Sequence, residues 1–210
     1  MPVTKSHQKQ ETIYQRDQYA KGGLGRRHWD RRDQMALDLI RSTDRTIVDI
    51  GCGEGITLEK IHRLFPDRTV LGIDTLSENI DICRKHGCNA EIGDVYNLPL
   101  PSGNADIVLF LEVIEHLEDP ETAIREIHRI LTPNGRLIIA FPNDAVFKLA
   151  RILTLRFRAA TYDPGHVRQW TPRDMQDFLI GQGFTHVFSA NIPFYFWPVS
   201  LHCILGAEKK

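Results

Sequence analysis

The stretch that decides the fold is VDIGCGEG, residues 48–55. A β-branched run, TIVDIG (46–51), ends in a turn with glycines at 51, 53 and 55, and ITLEKIHRLF (56–65) follows with apolar residues at helical spacing. A strand that passes through a glycine turn into a helix lets backbone approach a ligand closely, with the helix N-terminus behind it. The spacing is GxGxG, not the GxGxxG of dinucleotide folds, so a pyrophosphate on the helix dipole is not the natural ligand. A plain tight turn would carry the same glycines, so the neighbouring residues have to decide.

Downstream the alternation of strand and helix continues. RTVLGID (68–74) reads as a second strand and SENIDICRKHG as a helix capped by Ser77 and stopped by Gly87. NAEIGD (89–94) is a short third strand. ADIVLFL (105–111) is the most apolar one, as expected at the centre of a parallel sheet covered on both faces. In DPETAIREIHRILTPNG, Asp119 caps a helix that Pro120 starts and Gly135 closes, with Ile124, Ile127 and Leu131 on one face. RLIIAFP (136–142) is the fifth strand. In TPRDMQDFLIGQGF, Thr171 caps, Pro172 starts, Met175, Phe178 and Leu179 face inward, and Gly183 ends the helix. THVFSANI and LHCILGAE form a strand pair with no helix between them, hence antiparallel. The expectation is an α/β three-layer sandwich with a doubly wound, mostly parallel seven-stranded sheet and an antiparallel C-terminal strand. It is read as one domain over 1–210: an N-terminal helical cap (1–45), a core (46–142), an insertion (143–170), and a C-terminal helix and strand pair (171–210).

Composition excludes several classes. With 42% hydrophobic and 25% charged residues the 210-residue chain is ordinary for a globular domain, and a formal net charge of -1 makes no global case for nucleic-acid binding. Cys52, Cys83, Cys88 and Cys203 form no CxxC pair and read as free thiols in a reducing compartment. The polar start MPVTKSHQKQETIYQ has no apolar core of a secretory signal, and no run reaches the length of a membrane span. A cytoplasmic location is expected.

Acids sit at the strand ends. Asp74 closes the second strand, where a carboxylate can accept both hydroxyls of a ribose, and Asp94 closes the third, where it could accept from an adenine amino group. Asp49 lies inside the first strand, where an unpaired carboxylate is costly and a ligand ammonium would serve as partner.

VDIGCGEG, GID, GDVYNLPLPSGNADIVLFLEVIEHLEDP and LTPNGRLIIAFPN, in this order, resemble the class I S-adenosylmethionine-dependent methyltransferases, and within them the ubiquinone- and menaquinone-type branch. The resemblance implies a Rossmann-like fold and S-adenosyl-L-methionine as cofactor. It implies that Gly51 and Gly53 border the methionine and ribose, Asp74 holds the ribose, Asp94 and Val95 read the adenine, and Leu111 lines the methionine pocket. It further implies an arginine before the first strand for the cofactor carboxylate, with Arg26 and Arg27 as candidates. Tyr14, Tyr19 and Trp29 are either a cap over the cofactor or an anchor to the core.

LEVIEHLEDP (111–120) gathers Glu112, Glu115 and His116 where the fourth strand ends. Three readings stand side by side. They are polar loop residues with a packed histidine; or His116 is a general base, its ordinary pKa near 6.5 suiting proton removal at neutral pH; or the three ligate a divalent ion. For the last, His166 in YDPGHVRQWTP is the fourth ligand, and ExxEH with a later H…WT resembles two metal-dependent O-methyltransferase groups: small-RNA 3′-terminal 2′-O-methyltransferases and ubiquinone-pathway O-methyltransferases. A Glu2His2 shell accepts Mg²⁺, Mn²⁺, Fe²⁺ or Zn²⁺, and the cation lowers the pKa of an acceptor hydroxyl.

The acceptor pocket is expected from the outlying segments. AVFKLARILTLRFRAA (145–160), apolar with Lys148, Arg151, Arg156 and Arg158, reads as a lid helix or as a peripheral membrane contact, and NIPFYFWPV (191–199) as an apolar wall. A small aromatic or hydrophobic molecule is the favoured acceptor. A terminal RNA nucleotide is the rival, supported by the basic lean of Arg26, Arg27, Arg31 and Arg32. An inactive partner subunit is the non-enzymatic alternative. Cys52 is read as a packed side chain, and His62, His128 and His186 as boundary or surface residues.

Overall fold

The computed structural model describes residues 15–146, 166–194 and 196–210. Tyr14, Lys148, Arg151, Arg156, Arg158 and most of the 143–170 insertion lie outside the described residues, as does the His186 side chain.

Two N-terminal helices, α1 (Gln15–Ala20) and α2 (Gly23–Leu37), precede the alternating core. That core runs β1 (Thr46–Ile50), α3 (Ile56–Leu64), β2 (Thr69–Asp74), α4 (Ser77–Lys85), β3 (Ala90–Ile92), β4 (Ala105–Leu111), a 3-10 turn (Ile114–His116), α5 (Pro120–Ile130) and β5 (Leu131–Pro142). Helix α6 (Pro172–Gly181) and the strands β6 (Phe184–Ile192) and β7 (His202–Lys209) complete the described chain. The seven strands form one sheet in the order β3-β2-β1-β4-β5-β7-β6. The first five are parallel, β7 runs antiparallel to β5, and β6 is antiparallel to β7. This is the expected mostly parallel sheet with an antiparallel C-terminal strand.

The sheet is covered on both faces, which is why its central strands read as continuous apolar runs. On one side Ile124 and Ile127 of α5, Met175 and Leu179 of α6, and Phe110 and Phe141 pack together. On the other, Ala36 and Leu37 of α2, Leu58 and Ile61 of α3, and Ile80 of α4 pack on Ile47 and Leu109. Removing a fully buried ring such as Phe110 would cost about 3–5 kcal/mol.

Local signals place most helix ends. The Asp119 carboxylate accepts from Thr122 N–H, and Thr171 Oγ1 accepts from Asp174 N–H; a proline follows each cap. Three boundaries differ from expectation. Ser77 is the first helical residue of α4 and not its cap; Leu76 holds the extended position before it. β3 is shorter than 89–94, because Asp94 turns into a bridge with Asn97. β5 begins at Leu131, five residues early: α5 stops at Ile130, and Gly135 lies within the strand after Asn134 takes a left-handed φ of 62°.

The parallel strands β1, β2 and β4 deliver their carboxyl ends to one edge, where a β-strand order that reverses beside β1 opens a crevice.

Candidate active site

The glycine loop is built on backbone geometry that only glycine adopts freely. Gly51, Gly53 and Gly55 have φ of 74°, 52° and 80°. A Cβ on Gly51 would run into Val113, and one on Gly53 into the Gln15 amide, so the loop needs glycine for space as well. Gly51 N–H and Cys52 N–H both donate to Ile73 O, at 2.7 and 3.1 Å, tying the loop to the end of β2.

Of the strand-end acids, Asp74 bonds directly to this loop. Asp74 Oδ2 accepts from Gly53 N–H at 2.9 Å, while Oδ1 accepts from Leu76 N–H and the Asn79 amide at 2.9 and 3.1 Å. A carboxylate has about four acceptor positions, so capacity remains for ligand hydroxyls. Asp94 is exposed, with Oδ1 accepting from Tyr96 N–H at 2.9 Å, beside buried Val95. Asp49 is buried within β1; burial pushes its carboxyl up to about 7, Asp33 and Asp74 push further, and Arg32 opposes them.

A cavity of about 220 Å³ opens here. Asp49, Gly51, Cys52 and Leu111 line it together with Glu112, Glu115, His116 and His166. From the N-terminal helices come Gln15, Trp29, Arg32 and Asp33. The α1 segment is strapped over the loop: Gln15 N–H and Arg16 N–H donate to the buried Glu54 carboxylate at 2.9 and 2.8 Å, and the Arg16 guanidinium donates to Glu54 O. Tyr19 stacks on Trp29 at 6.2 Å and donates to Asp30.

The arginine in the cleft is Arg32, not Arg26 or Arg27. Arg26 lies over the Tyr19 ring at 4.6 Å, outside this cavity, and Arg27 is exposed on α2. Arg32 donates to Asp33 and to Glu112, and Asp33 in turn accepts from Lys60 at 2.7 Å. Burial alone would lower the Arg32 pKa, but Glu112 and Asp33 outweigh it and hold the guanidinium charged.

Of the four residues expected around an ion, three come together. Glu115, His116 and His166 each bring a ligand atom to within 4.8 Å of the others. Glu115 is buried, and among the described residues its Oε2 has no hydrogen-bond partner. Burial raises its carboxyl to about 8; its own backbone N–H and Arg32 work against that, and Glu112 and Asp144 add to it. The His116 and His166 rings meet edge to face at 4.8 Å.

Glu112 stands apart from this group. It takes a left-handed φ of 58°, a strained conformation for a residue with a side chain, and its Oε1 pairs with Arg32 and lies 3.2 Å from His202 Nε2. Burial would raise its pKa, yet Arg32 and His202 hold it well below the ordinary carboxylate range. His202 Nδ1 is 2.7 Å from His28 Nε2, and His28 is lowered to about 4, by burial first and then by His202. His28 and His202 have no signal as cleft residues in the sequence, because they pair across 174 positions, and Arg32 counts there only as one of a basic cluster, because its partner Glu112 lies 80 positions away. Asp144, 2.8 Å from His166 Nδ1, was equally silent. His128 packs on Phe184, and all four cysteines are buried and free. Among the described residues, no helix is long and apolar enough to cross a membrane.

Residues 48–139 match the family model described as a methyltransferase domain. A probable S-adenosylmethionine-dependent methyltransferase of Mycobacterium tuberculosis is 29% identical over 164 residues, covering 76% of this chain and 57% of that protein. A ubiquinone biosynthesis O-methyltransferase of Azorhizobium caulinodans is 30% identical over 148 residues, covering 66% of this chain and 58% of that one. The chain thus spans little more than half the length of these relatives. The crystal structure of a SAM-dependent methyltransferase from Archaeoglobus fulgidus superposes with a TM-score of 0.72 at 17% identity, covering 94% of this chain and all (100%) of that one. The fold is the Rossmann-like fold of the class I methyltransferases.

Proposed function

We propose that this protein is an S-adenosylmethionine-dependent methyltransferase, and that it methylates a hydroxyl oxygen of a small aromatic or hydrophobic acceptor with help from a divalent ion. One observation carries the reading: the strand-end loop suited to the cofactor and the Glu115, His116 and His166 donors line a single cavity.

In this reading Asp49 takes the ligand ammonium and Arg32 its carboxylate, two groups that line the cavity with Gly51. Gly51 and Gly53 let backbone lie against the methionine and ribose, Asp74 accepts the ribose hydroxyls, and Leu111 walls the methionine side. Asp94 and Val95 take the adenine. A sulfonium methyl is already reactive, so these residues serve to orient the acceptor oxygen in line and to keep water out.

The donors fit an ion. Glu115 Oε2 is an orphaned buried oxygen, and two imidazoles with a carboxylate are an ordinary set for divalent metals. Glu115, His116 and His166 would hold it, and a bound cation would supply a lowered hydroxyl pKa. Without an ion, His116 is the group that accepts the hydroxyl proton.

The test is methyl transfer to catechols, to monohydroxy aromatics and to an RNA 3′ end, before and after EDTA, alongside calorimetry with S-adenosylhomocysteine. Catechol methylation that stops with EDTA and returns with one ion supports the full reading. Turnover that survives EDTA removes the ion and leaves His116. Methylation of RNA alone overturns the acceptor, and absence of S-adenosylhomocysteine binding at millimolar concentration overturns the enzyme and revives the inactive-partner alternative.

A further inference from the structure

His166 reaches the cleft from residues 166–170, which belong to no helix or strand, so its ring needs other supports. Two are backbone: Val167 N–H and Arg168 N–H donate to Glu115 O at 2.8 and 3.3 Å, fastening this segment to the 3-10 turn that carries Glu115 and His116. The third is a side chain. Asp144, just beyond the end of β5 and only 6% exposed, lies with Oδ1 2.8 Å from His166 Nδ1.

A carboxylate that accepts from Nδ1–H selects the tautomer in which the neutral ring keeps its lone pair on Nε2. It also fixes the ring plane and raises the basicity of Nε2. An imidazole with a buried carboxylate on Nδ1 and two further donor side chains nearby is the usual arrangement of a ligand and its orienting carboxylate. Asp144 gains nothing as a surface ion pair, because both side chains are largely covered, at 5% and 16% exposure.

The second feature is the place of Glu112. Its Oε1 is already held by Arg32 and His202, so the set that converges is two imidazoles and one carboxylate, not two of each. Mg²⁺ favours oxygen ligands and gives up water reluctantly, whereas paired imidazoles suit Mn²⁺, Fe²⁺ and Zn²⁺.

We propose that Asp144 is a positioning residue that acts through His166, and that the Glu115–His116–His166 site selects first-row transition ions over Mg²⁺. This rests on the metal-assisted reading of the same cleft. Asp144→Asn keeps the size and an acceptor oxygen but removes the charge that fixes the tautomer, and loss of such a partner costs about 10–100-fold in metal affinity.

The experiment is calorimetric titration of the EDTA-stripped full chain with Mn²⁺ and with Mg²⁺, and Mn²⁺ paramagnetic resonance as a second readout. Wild type should bind Mn²⁺ more tightly than Mg²⁺. Asp144→Asn should weaken Mn²⁺ about 10–100-fold while S-adenosylhomocysteine affinity and the metal-free melting temperature stay put. Asp144→Glu, which keeps the buried charge but displaces it by one methylene, should lose several-fold and covers the case in which the Asn variant fails to fold. Unchanged Mn²⁺ affinity in a folded Asp144 variant overturns the positioning role, and equal affinities for the two ions overturn the selectivity. If wild type binds neither ion, this inference and the metal assistance fall together, while S-adenosylhomocysteine binding in the same sample would keep the methyltransferase reading.

Discussion

Asp49→Asn should stabilise the ligand-free protein at pH 8 and weaken its hold on S-adenosylhomocysteine. The Asp49 carboxyl is lifted from its ordinary 3.8 to about 7, by burial first and then by Asp33 and Asp74, against the pull of Arg32. At 1.36 kcal/mol per unit, that rise corresponds to ~4 kcal/mol of preference for the neutral form in the fold. The sign follows from linkage. A raised carboxyl pKa gives a contribution that is whole below the unfolded value near 4 and is lost as pH rises through about 7. Above pH 7 wild type therefore carries a buried, unfavourable charge that Asn lacks. Urea unfolding at pH 5 and pH 8 measures it: the stability of Asp49→Asn relative to wild type should increase by ~2–4 kcal/mol between the two. A bound ammonium reverses the preference and favours the carboxylate. Wild-type affinity for S-adenosylhomocysteine should then climb by up to about tenfold per pH unit from 5 to 7, with a proton released on binding, and Asp49→Asn should show neither. A stability difference that does not vary with pH would refute the buried-charge reasoning. Equal pH dependence of binding in the two proteins would refute Asp49 as the ammonium partner.

Two further outcomes follow from the cleft. Gly51→Ala puts a side chain at φ 74° and against Val113, so it should lose ~2–4 kcal/mol and S-adenosylhomocysteine binding; Gly87→Ala, at φ 76° with nothing within 4 Å, should lose ~1–2 kcal/mol and keep binding, and thermal melts of the two separate crowding from backbone strain. Arg32→Met leaves the Glu112 and Asp33 carboxylates without their guanidinium and should cost ~3–5 kcal/mol in urea unfolding, with Arg32→Met/Glu112→Gln recovering part of it; a loss under 1 kcal/mol would mean the pair holds nothing together.

What the sequence determined by itself was everything that local chemistry specifies. Positive φ is cheap only for glycine, so the tight turn at 51, 53 and 55 was legible from residue types alone. Asp119 and Thr171 announced their helices because a cap satisfies N–H groups only three residues away. The doubly covered strands announced the layered sheet through their unbroken apolar runs, as in ADIVLFL. Where two local signals competed, boundaries slipped: the Pro133–Asn134–Gly135 turn reads as a helix stop, but pairing of Leu131 with Ala105 claimed those residues for the strand.

Tertiary structure decided the rest. Which arginine of GLGRRHWDRR enters the cleft depends on how α2 docks across the sheet, a phase that no local signal sets, and docking selects Arg32. The sequence grouped Glu112 with Glu115 and His116 by proximity. The fold keeps all three on one cavity but gives Glu112 other partners: with a left-handed φ, its carboxylate meets Arg32 and His202, 90 positions on. Asp144 finds His166 across a 22-residue separation for the same reason. A side chain's charge is written in the sequence, but the partner that compensates that charge once water is removed is chosen by which surfaces the fold presses together.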